Sequence, residues 1–411
     1  MQSKHLRAIH SLPYVAPSGR VIRRGGWDTE TQIYLHLPHT ETQQVQHEPT
    51  GDEVRAALAV MAVPFSGYQW ATPDDAAAML SGVITAVVRP ALELAPMYLI
   101  DASTQGSGKT KAATALGALM TGERPGVTPF SGLDDDELRK RIISGVLTSQ
   151  QFHCVDNIVG RFESPALAGV LTSGRLADRV LGSSRTVTAA IRALFTATSN
   201  NAHLGPDLLR RTVRVRIDSG VNPTARRFDF DPVDLALRDR MRIAQAVCTV
   251  LAAYFAAGAP RIADDDAGGF TDWVRLCRQP LLWVAREVLS DHLPWELGDP
   301  AASMLVSPDL FDSEVDAHGD LLLALHGLSE GTGFTSRDVL NWWKAGVNND
   351  EGPFAALSEA LAEFYTGRTE PTAKSLGRVL MHRRDRAVRG LRLRTREDSS
   401  SNARVWRVVP V

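Results

Sequence analysis

The middle of the chain alternates short apolar runs with segments of helical periodicity. Apolar runs that predict strands lie at four places: 97–100, 151–156, 193–198 and 212–217. Helical patterns lie between them: 111–120, 134–145 and 164–171. Strands that alternate with helices in this way form a parallel sheet covered by helices. The pattern therefore predicts an α/β fold for this region.

The segments on either side of this region have other patterns of hydrophobic and polar residues. Residues 1–50 carry short alternating segments and predict a small β-rich element. Residues 53–63 and 73–94 have helical patterns, and the second begins with a proline followed by two acidic residues. Residues 232–328 read as mostly helical.

The last segment predicts helices followed by a β-hairpin. The predicted elements are helices at 336–344 (with Ser336 as its cap), 355–364 and 372–384, then strands at 389–395 and 403–409. This order is the outline of a winged helix-turn-helix, a DNA-binding fold. The predicted regions are a β-rich element at 1–52, an α/β core with leading helices at 53–231, a helical region at 232–333 and a winged helix at 334–411.

Composition is that of a globular protein of two or three domains. The 411 residues are 44% hydrophobic and 22% charged. The three cysteines are far apart, so no zinc site or disulfide framework is indicated. The N-terminus has no apolar signal core, and the apolar run 243–259 is too short and interrupted to span a membrane. We expect a cytoplasmic protein with no membrane partner.

Charge is distributed unevenly along the chain. Residues 368–411 have a net charge of +8, against −2 for the whole chain. A basic end on an acidic body predicts a polyanionic partner, here DNA. The candidate contacts in this segment are Lys374, Arg378, Arg383, Arg384, Arg392 and Arg394. A solvated basic surface is the alternative.

The strand at 97–100 leads into a glycine-rich turn with the make-up of a triphosphate cradle. Residues 106–110 read Gly-Ser-Gly-Lys-Thr. Gly106 and Gly108 let the backbone N–H groups converge on phosphate, and Ser107 lies between them. A helix that starts near Lys109 adds its positive dipole, and its lysine reaches the phosphates. Thr110 would bind Mg²⁺, so ATP and Mg²⁺ are the predicted cofactors; Ser103 stands where the full motif has its first glycine.

Polar residues that follow the next strands supply further candidates. Asp156 closes an apolar strand and is the predicted Mg²⁺ carboxylate; a strand-end cap is the alternative. Asn157 and Asn200 are candidates to orient the attacking water, since an amide cannot accept its proton. The acidic run 134–137 is the other possible source of a base, although a cluster at a helix N-terminus explains it better.

An arginine pair follows the third strand. Arg210 and Arg211 close a short helical segment and lead into the fourth strand. Such a pair can reach the nucleotide of a neighbouring subunit as an arginine finger. Interaction with the carboxyl end of the helix is the alternative.

The order of these motifs resembles the AAA+ helicase-like module of phage and mobile-element replication proteins, a module often fused to a primase-polymerase. The core motifs are GSGKT at 106–110, VDN at 155–157, ATSNN at 197–201 and PDLLRR at 206–211. Segments similar to other parts of that module are RGGWD at 24–28, VPF at 63–65, RVLG at 179–182, RRF at 226–228, GFTDW at 269–273, SLGR at 375–378 and GLRL at 390–393. The similarity covers roughly residues 10–411 and implies a P-loop AAA+ core with a C-terminal winged helix.

The resemblance also implies a function. It implies a ring-forming ATPase, expected to be a hexamer, that acts on single-stranded or forked DNA as a helicase, translocase or helicase loader. A separate primase or polymerase is an expected partner. In related ATPases the region that here holds Arg175, Arg179 and Arg185 supplies loops to a central channel, where these residues would grip phosphates. Intersubunit salt bridges and nucleotide sensing are the alternatives.

Two other functions remain open on the sequence. An initiator that uses ATP only as an assembly switch would bind DNA without unwinding it. A metabolic P-loop kinase is disfavoured, because the basic C-terminal segment has no role in it.

Overall fold

A computed structural model describes most of the chain. The described residues are 6–37, 48–102, 106–131, 133–179, 186–200, 202–218, 230–264, 267–288, 293–305, 313–347, 352–362, 364–365, 370–385, 387–388, 390–398 and 403–410. Ser103 and Arg185, which the sequence analysis considered, lie outside these residues, as does the RRF segment at 226–228. The chain forms two compact units, Met1–Val306 and Ser307–Val411.

The first unit begins with short strands. They are β1 (Ala8–His10), β2 (Tyr14–Val15), β3 (Val21–Ile22), β4 (Gly26–Trp27) and β5 (Ile33–Leu35). β5 pairs in parallel with β1 and antiparallel with β4, while β2 and β3 form a separate hairpin. These strands lie in the region for which the sequence predicts a β-rich element.

Two capped helices follow. α1 (Gly51–Ala62) starts with a capping box between Thr50 and Glu53. α2 (Pro73–Val88) is capped by the Thr72 hydroxyl and has proline as its first residue. It ends six residues earlier than the predicted helix at 73–94, because Pro90 has no N–H to donate to a carbonyl of the preceding turn. Arg89 keeps helical backbone and begins a 3₁₀ turn. Short 3₁₀ turns follow both helices, Val63–Phe65 and Arg89–Ala91.

The α/β core then contains nine strands and four helices within the described residues. The strands are β6 (Met97–Asp101), β7 (Thr128–Pro129), β8 (Phe152–Ile158), β9 (Arg161–Phe162), β10 (Arg175–Arg179), β11 (Thr186–Ala190), β12 (Leu194–Ser199), β13 (His203–Leu204) and β14 (Thr212–Arg216). The helices are α3 (Lys109–Thr121), α4 (Asp135–Leu147), α5 (Pro165–Ser173) and α6 (Pro206–Leu209).

Five of these strands form one parallel sheet in the order β14-β6-β12-β8-β7. In β6, Tyr98 and Ile100 belong to the apolar core on the face of α2 and α3, whereas Met97 and Leu99 join α4 and α5. Both faces are buried, which explains why β6 reads as a continuous apolar run. The prediction of a parallel sheet flanked by helices is confirmed.

Two smaller pairings lie beside the sheet. β10 and β11 form an antiparallel hairpin inserted before β12, and β9 pairs with β13. The sequence analysis had assigned no strands to these segments.

The helical region completes the first unit. It contains α7 (Pro232–Arg238), α8 (Arg240–Ala256), a 3₁₀ turn (Ala267–Gly269), α9 (Thr271–Trp273), α10 (Gln279–Trp283) and α11 (Ala302–Leu305), with π-helical segments at Val274–Arg278 and Val284–Val288. Trp273 is fully buried, and its indole N–H donates to the Thr85 and Tyr98 hydroxyls, 3.0 Å from each. This region therefore shares its core with the strand that precedes the glycine turn.

The second unit contains four helices and three strands among its described residues. They are α12 (Ser313–Ser329), α13 (Ser336–Gly346), α14 (Pro353–Ala362), α15 (Ala373–His382), β15 (Ala387–Val388), β16 (Leu391–Asp398) and β17 (Ala403–Pro410). The strands form an antiparallel sheet in the order β15-β16-β17, and its buried side chains pack in one core with leucines of the helices.

Two details differ from the sequence analysis. The cap of α13 is Thr335, which forms a capping box with Asp338, and Ser336 is the first helical residue. The unit begins at Ser307 and not at the predicted boundary of 334, because α12 buries Leu321, Leu322 and Leu325 in this second core. No helix among the described residues is long and apolar enough to cross a membrane.

Candidate functional site

The glycine turn joins the carboxyl end of β6 to the start of α3. Gly106 and Gly108 have φ angles of 78° and 87°, in the left-handed region that glycine adopts without strain. Gly108 is the N-cap residue, so α3 begins at Lys109 as predicted. The turn therefore leads directly into the N-terminus of a thirteen-residue helix, where backbone N–H groups have no partner within the helix.

The lysine of the turn is held close to the sheet. Lys109 is 8% exposed, and its Nζ donates to the Ser107 hydroxyl at 3.1 Å. Burial lowers the pKa of Lys109, while the carboxylates of Asp101 and Asp156 act against this shift. The ammonium group thus lies in the field of two acids at the same edge of the sheet.

Asp156 accepts two hydroxyl hydrogen bonds. Thr110 Oγ1 donates to its Oδ1 at 2.7 Å, and Thr198 Oγ1 donates to the same atom at 2.8 Å. The hydroxyl and carboxylate predicted to bind Mg²⁺ are therefore in direct contact. Asp156 does not close its strand, because β8 continues to Ile158.

The extra residues of β8 form an irregularity in the sheet. The register of β8 on β12 shifts between Ala197 and Ser199, and Asn157 has a φ angle of 62°. Its N–H donates to Thr198 Oγ1 at 2.8 Å. Such bulges re-aim side chains and often lie next to functional sites. Here the bulge places Asn157 beside Asp156 with its side chain exposed to solvent.

The two predicted amides meet. Asn200 Nδ2 donates to Asn157 Oδ1 at 3.3 Å. Among the described residues, Asn200 Oδ1 has no hydrogen-bond partner although it is buried. The candidates from three separate motifs, Thr110, Asp156 and the asparagine pair, thus form one connected group through Thr198.

A second carboxylate at this edge was not predicted as a site residue. Asp101 ends β6, and it is 1% exposed. Ser199 Oγ donates to its Oδ1 at 2.6 Å, and Arg214 of β14 forms a salt bridge with its Oδ2, with Nε 3.1 Å away. The signal that could have found Asp101 is its position at the end of the strand before the glycine turn.

The acidic run at 134–137 serves the start of α4. Asp134 is the N-cap residue and accepts from the Glu137 N–H at 2.7 Å. Asp135 accepts from the Ser164 hydroxyl and from the Ala166 N–H. These contacts agree with the interpretation of the run as a helix N-terminal cluster.

The two arginines after α6 differ in their surroundings. The Arg210 side chain is 60% exposed, and its Nη2 forms a salt bridge with Asp207 Oδ1 at 2.6 Å. The Arg211 side chain is 17% exposed, with Nε donating to Thr172 Oγ1 at 2.6 Å and Nη1 donating to the Asp207 carbonyl. Only Arg210 is therefore presented at the surface of the first unit.

The predicted DNA contacts in the first unit lie on the inserted hairpin. Arg175 is exposed at the start of β10, opposite Ala190 of β11. Arg179 is the last residue of β10, and its side chain lies outside the described part of the chain.

Most of the predicted DNA contacts in the second unit are exposed. Lys374, Arg378, Arg384 and Arg394 are exposed, and Arg392 is half-buried. Arg383 is only 8% exposed, its guanidinium lies 4.0 Å from the centroid of the Phe364 ring, and it donates to the Val379 carbonyl. The Arg383 side chain therefore packs against Phe364 and is not exposed like Lys374, Arg378, Arg384 and Arg394.

The sheet of the second unit carries further basic residues. In β16, Leu391 and Leu393 point to the core, while Arg394 and Arg396 are exposed. Arg394 lies opposite Arg407 of β17, which is also exposed. The outer face of this hairpin is therefore more basic than the two predicted arginines indicated.

Comparisons with known proteins give little similarity. No family model matches the chain, and no curated protein matches it. Among solved structures, "The A form apo structure of NrS-1 C terminal region-CTR" has 11% sequence identity and a TM-score of 0.35; the match covers 96% of this chain and 84% of that chain. A second structure of that region, residues 305–718 of NrS-1, gives a TM-score of 0.37 at the same identity and coverage.

Proposed function

We propose that the first unit binds and hydrolyses ATP with Mg²⁺. The observation that carries this proposal is the contact between Thr110 Oγ1 and Asp156 Oδ1 at the start of α3. A glycine turn, a helix N-terminus and a lysine next to that contact are the parts from which triphosphate sites are built.

The donor set fits Mg²⁺. This ion prefers oxygen ligands and is usually held by one or two carboxylates together with substrate phosphates. Thr110 and Asp156 supply such oxygens, whereas the described residues contain no cluster of three or more His, Cys, Asp or Glu that could hold a metal alone. When bound, Mg²⁺ would neutralise phosphate charge. Lys109 would bind the phosphates, and Asn157 with Asn200 would orient water.

We further propose that the ATPase acts on DNA as a ring-forming helicase or translocase, or as a helicase loader, in the replication of a phage or mobile element. Exposed Arg210 would complete the nucleotide site of a neighbouring subunit. The second unit would be a winged helix, supported by the order α13, α14, α15 and the hairpin β16–β17 with its exposed arginines. Lys374 and Arg378 on α15 would contact DNA phosphates.

The decisive experiment measures ATP hydrolysis with and without DNA, together with displacement of a strand from a forked substrate. We expect DNA to stimulate hydrolysis in the wild type, and Lys109→Ala to abolish both activities. Purified protein that assembles on DNA and hydrolyses ATP yet never opens a fork would contradict the helicase proposal. Absence of DNA-stimulated hydrolysis would favour a small-molecule kinase.

The arginine finger has its own test. Arg210→Ala should lower hydrolysis by at least about a thousandfold, as loss of such fingers does in other nucleotide hydrolases. Arg211→Ala should leave most of the turnover, because Arg211 is engaged with Thr172 and Asp207 of its own chain. Equal loss in both variants would contradict the distinction between them.

One observation favours a second candidate, an initiator that uses ATP as an assembly switch. The residue after Asp156 is an amide bonded to another amide, and neither can accept a proton. Slow hydrolysis suits a switch. A discrete protected site in DNA footprinting and little turnover would support the initiator, whereas uniform binding that weakens with salt would support the helicase.

A further inference from the structure

A cavity lies at the end of the parallel sheet opposite the glycine turn. Its volume is about 350 Å³. Gln151 and Ala193, which immediately precede β8 and β12, line it, as do Ala189 and Ala190 at the base of the inserted hairpin. The glycine turn leaves the carboxyl end of β6, so the two places share no residues. A volume at the lower end of the range for ligand pockets suits a small molecule.

The charge of this cavity is one-sided. Arg7 and Arg192 line it, and no Asp or Glu is among the described residues that do. Arg192 Nη1 donates to the Glu93 carbonyl, while its Nε is buried without a hydrogen-bond partner in the described part of the chain. Burial, followed by the charge of Arg7, lowers the pKa of Arg192, while the carboxylates of Glu93 and Asp272 act against this shift. A half-buried guanidinium that lies beside another arginine, with one N–H unpartnered in the described part of the chain, favours an anion as a further partner.

A third guanidinium lies behind the cavity wall. Arg89 is 3% exposed and donates to the carbonyls of Ala193, Leu92 and Ile191 at 2.9, 3.0 and 3.2 Å. Burial lowers its pKa to about 9, so it stays positive at neutral pH. Its partners are carbonyl dipoles, which leave its full charge uncompensated and add to the positive field at this end of the sheet.

The remaining walls are apolar or neutral. Ile9, Pro90, Met120 and Val146 line the cavity, and Ile9 is 56% exposed. His153 is also in the lining; burial lowers its pKa to about 4, and its ring stacks on Phe195 with centroids 5.1 Å apart. A ligand that fits therefore has an anionic group for the arginines and an uncharged, partly apolar body.

We propose that this cavity binds a small organic phosphate of mononucleotide size. The phosphate lies against Arg7 and Arg192, because guanidinium groups match phosphate geometry and are weakly hydrated. The organic body lies against Ile9, Pro90 and the His153 ring. This proposal does not rest on the proposed ATPase activity.

The test is calorimetric titration of the full chain with AMP, in a Lys109→Ala background so that the glycine turn contributes little. We expect saturable binding of one AMP per chain. Arg192→Gln should weaken it by about tenfold or more, the value of a charge-assisted hydrogen bond. Ala190→Phe should also weaken it by filling the cavity mouth without a change of charge. Arg242→Gln, an exposed arginine on α8, is the matched control.

Two comparisons make the outcome decisive. Arg7→Gln changes an exposed side chain, so it tests the charge argument even if Arg192→Gln fails to fold. Inorganic phosphate should bind more weakly than AMP, because it cannot use the apolar wall. Failure of AMP to bind, binding that Arg7→Gln and Ala190→Phe leave unchanged, or binding only of a single-stranded oligonucleotide would each overturn the proposal.

Discussion

Two carboxylates stand at the same edge of the parallel sheet, on either side of β12, and their surroundings differ. Asp101 on β6 is fully buried and is compensated by the guanidinium of Arg214. Asp156 on β8 is half-buried and accepts from hydroxyl groups of Thr110 and Thr198. Consecutive residues of β12 serve the two acids, since Thr198 bonds to Asp156 and Ser199 bonds to Asp101.

The difference lies in the compensation of charge. An ion pair with arginine leaves Asp101 little net charge to offer a ligand, and removal of either partner would strand a buried charge. The two hydroxyl groups donate to Oδ1 of Asp156 and do not neutralise the carboxylate, so it can still hold a cation. We therefore expect Asp101 to support the fold and Asp156 to support the reaction.

Of the variants that test this comparison of the two acids, Asp156→Asn should have the largest effect. An amide keeps the shape of the side chain but removes the negative charge that would hold Mg²⁺, and a metal ion supplies several kcal/mol of stabilisation in such reactions. ATP turnover should fall by about a thousandfold, with stability in urea close to that of the wild type. Asp136→Asn, an exposed acid in the first turn of α4, is the matched control. If Asp156→Asn retained substantial ATP turnover at high Mg²⁺ concentration, the conclusion that the charge of Asp156 supports the reaction would be wrong.

Asp101→Asn should act on stability instead. It leaves the Arg214 guanidinium without its carboxylate in a site where the acid is 1% exposed. We expect the free energy of unfolding to fall by about 3 kcal/mol, the lower end of the range for breaking a buried ion pair. Urea titration measures this loss. The dependence of residual turnover on Mg²⁺ concentration should not shift; a shift would mean that Asp101 also takes part in holding the metal.

Much of this edge of the sheet could be predicted from sequence, because parallel strands bring their carboxyl ends together. The apolar runs located β6, β8, β12 and β14 within one or two residues. Asp156 ends one such run, and Asn157 and Asn200 lie just beyond the ends of such runs, so their proximity to the glycine turn follows from the fold class alone. Gly106 and Gly108 predicted a turn, and both glycines do adopt left-handed backbone there.

The features of this edge that the sequence did not predict depend on the order of the strands in the sheet and on local irregularities of the backbone. The Asp101–Arg214 pair joins residues 113 positions apart, and it exists only because β14 is the neighbour of β6. The bulge that places Asn157 has no signal in the periodicity of β8. Arg383 is basic and near other basic residues, yet it follows the last turn of α15 and packs on Phe364. The distribution of charge along the sequence does not show whether an arginine side chain points to solvent or packs against the core.

The adjacent hydroxyls of β12 sharpen the comparison further. Thr198→Val keeps the branched shape but removes the donor to Asp156 and the acceptor of the Asn157 N–H. Turnover should fall about tenfold, since one hydrogen bond to a charged group contributes roughly 1.5 kcal/mol. Ser199→Ala removes the bond to Asp101, which is also a hydrogen bond to a charged group, and should lower the stability by about 1.5 kcal/mol, with turnover retained. If Thr198→Val lowered mainly the stability and Ser199→Ala lowered mainly the turnover, the distinction between Asp156 and Asp101 would be contradicted.

The smallest expected effect tests whether the glycine turn is held independently of both acids. The Tyr68 hydroxyl donates to the Gly108 carbonyl at 3.0 Å, and its ring stacks on Trp70 with centroids 5.3 Å apart. Tyr68→Phe removes only the hydrogen bond, worth about 1 kcal/mol, so the KM for ATP should rise about fivefold with little change in kcat. Tyr254→Phe, which loses a similar bond to the Pro260 carbonyl in the helical region, is the control. If both variants raise KM equally, the effect reflects general loosening of the unit. If Tyr68→Phe lowers kcat and leaves KM unchanged, the tyrosine acts on the reacting groups, and the two acids do not account for the whole site.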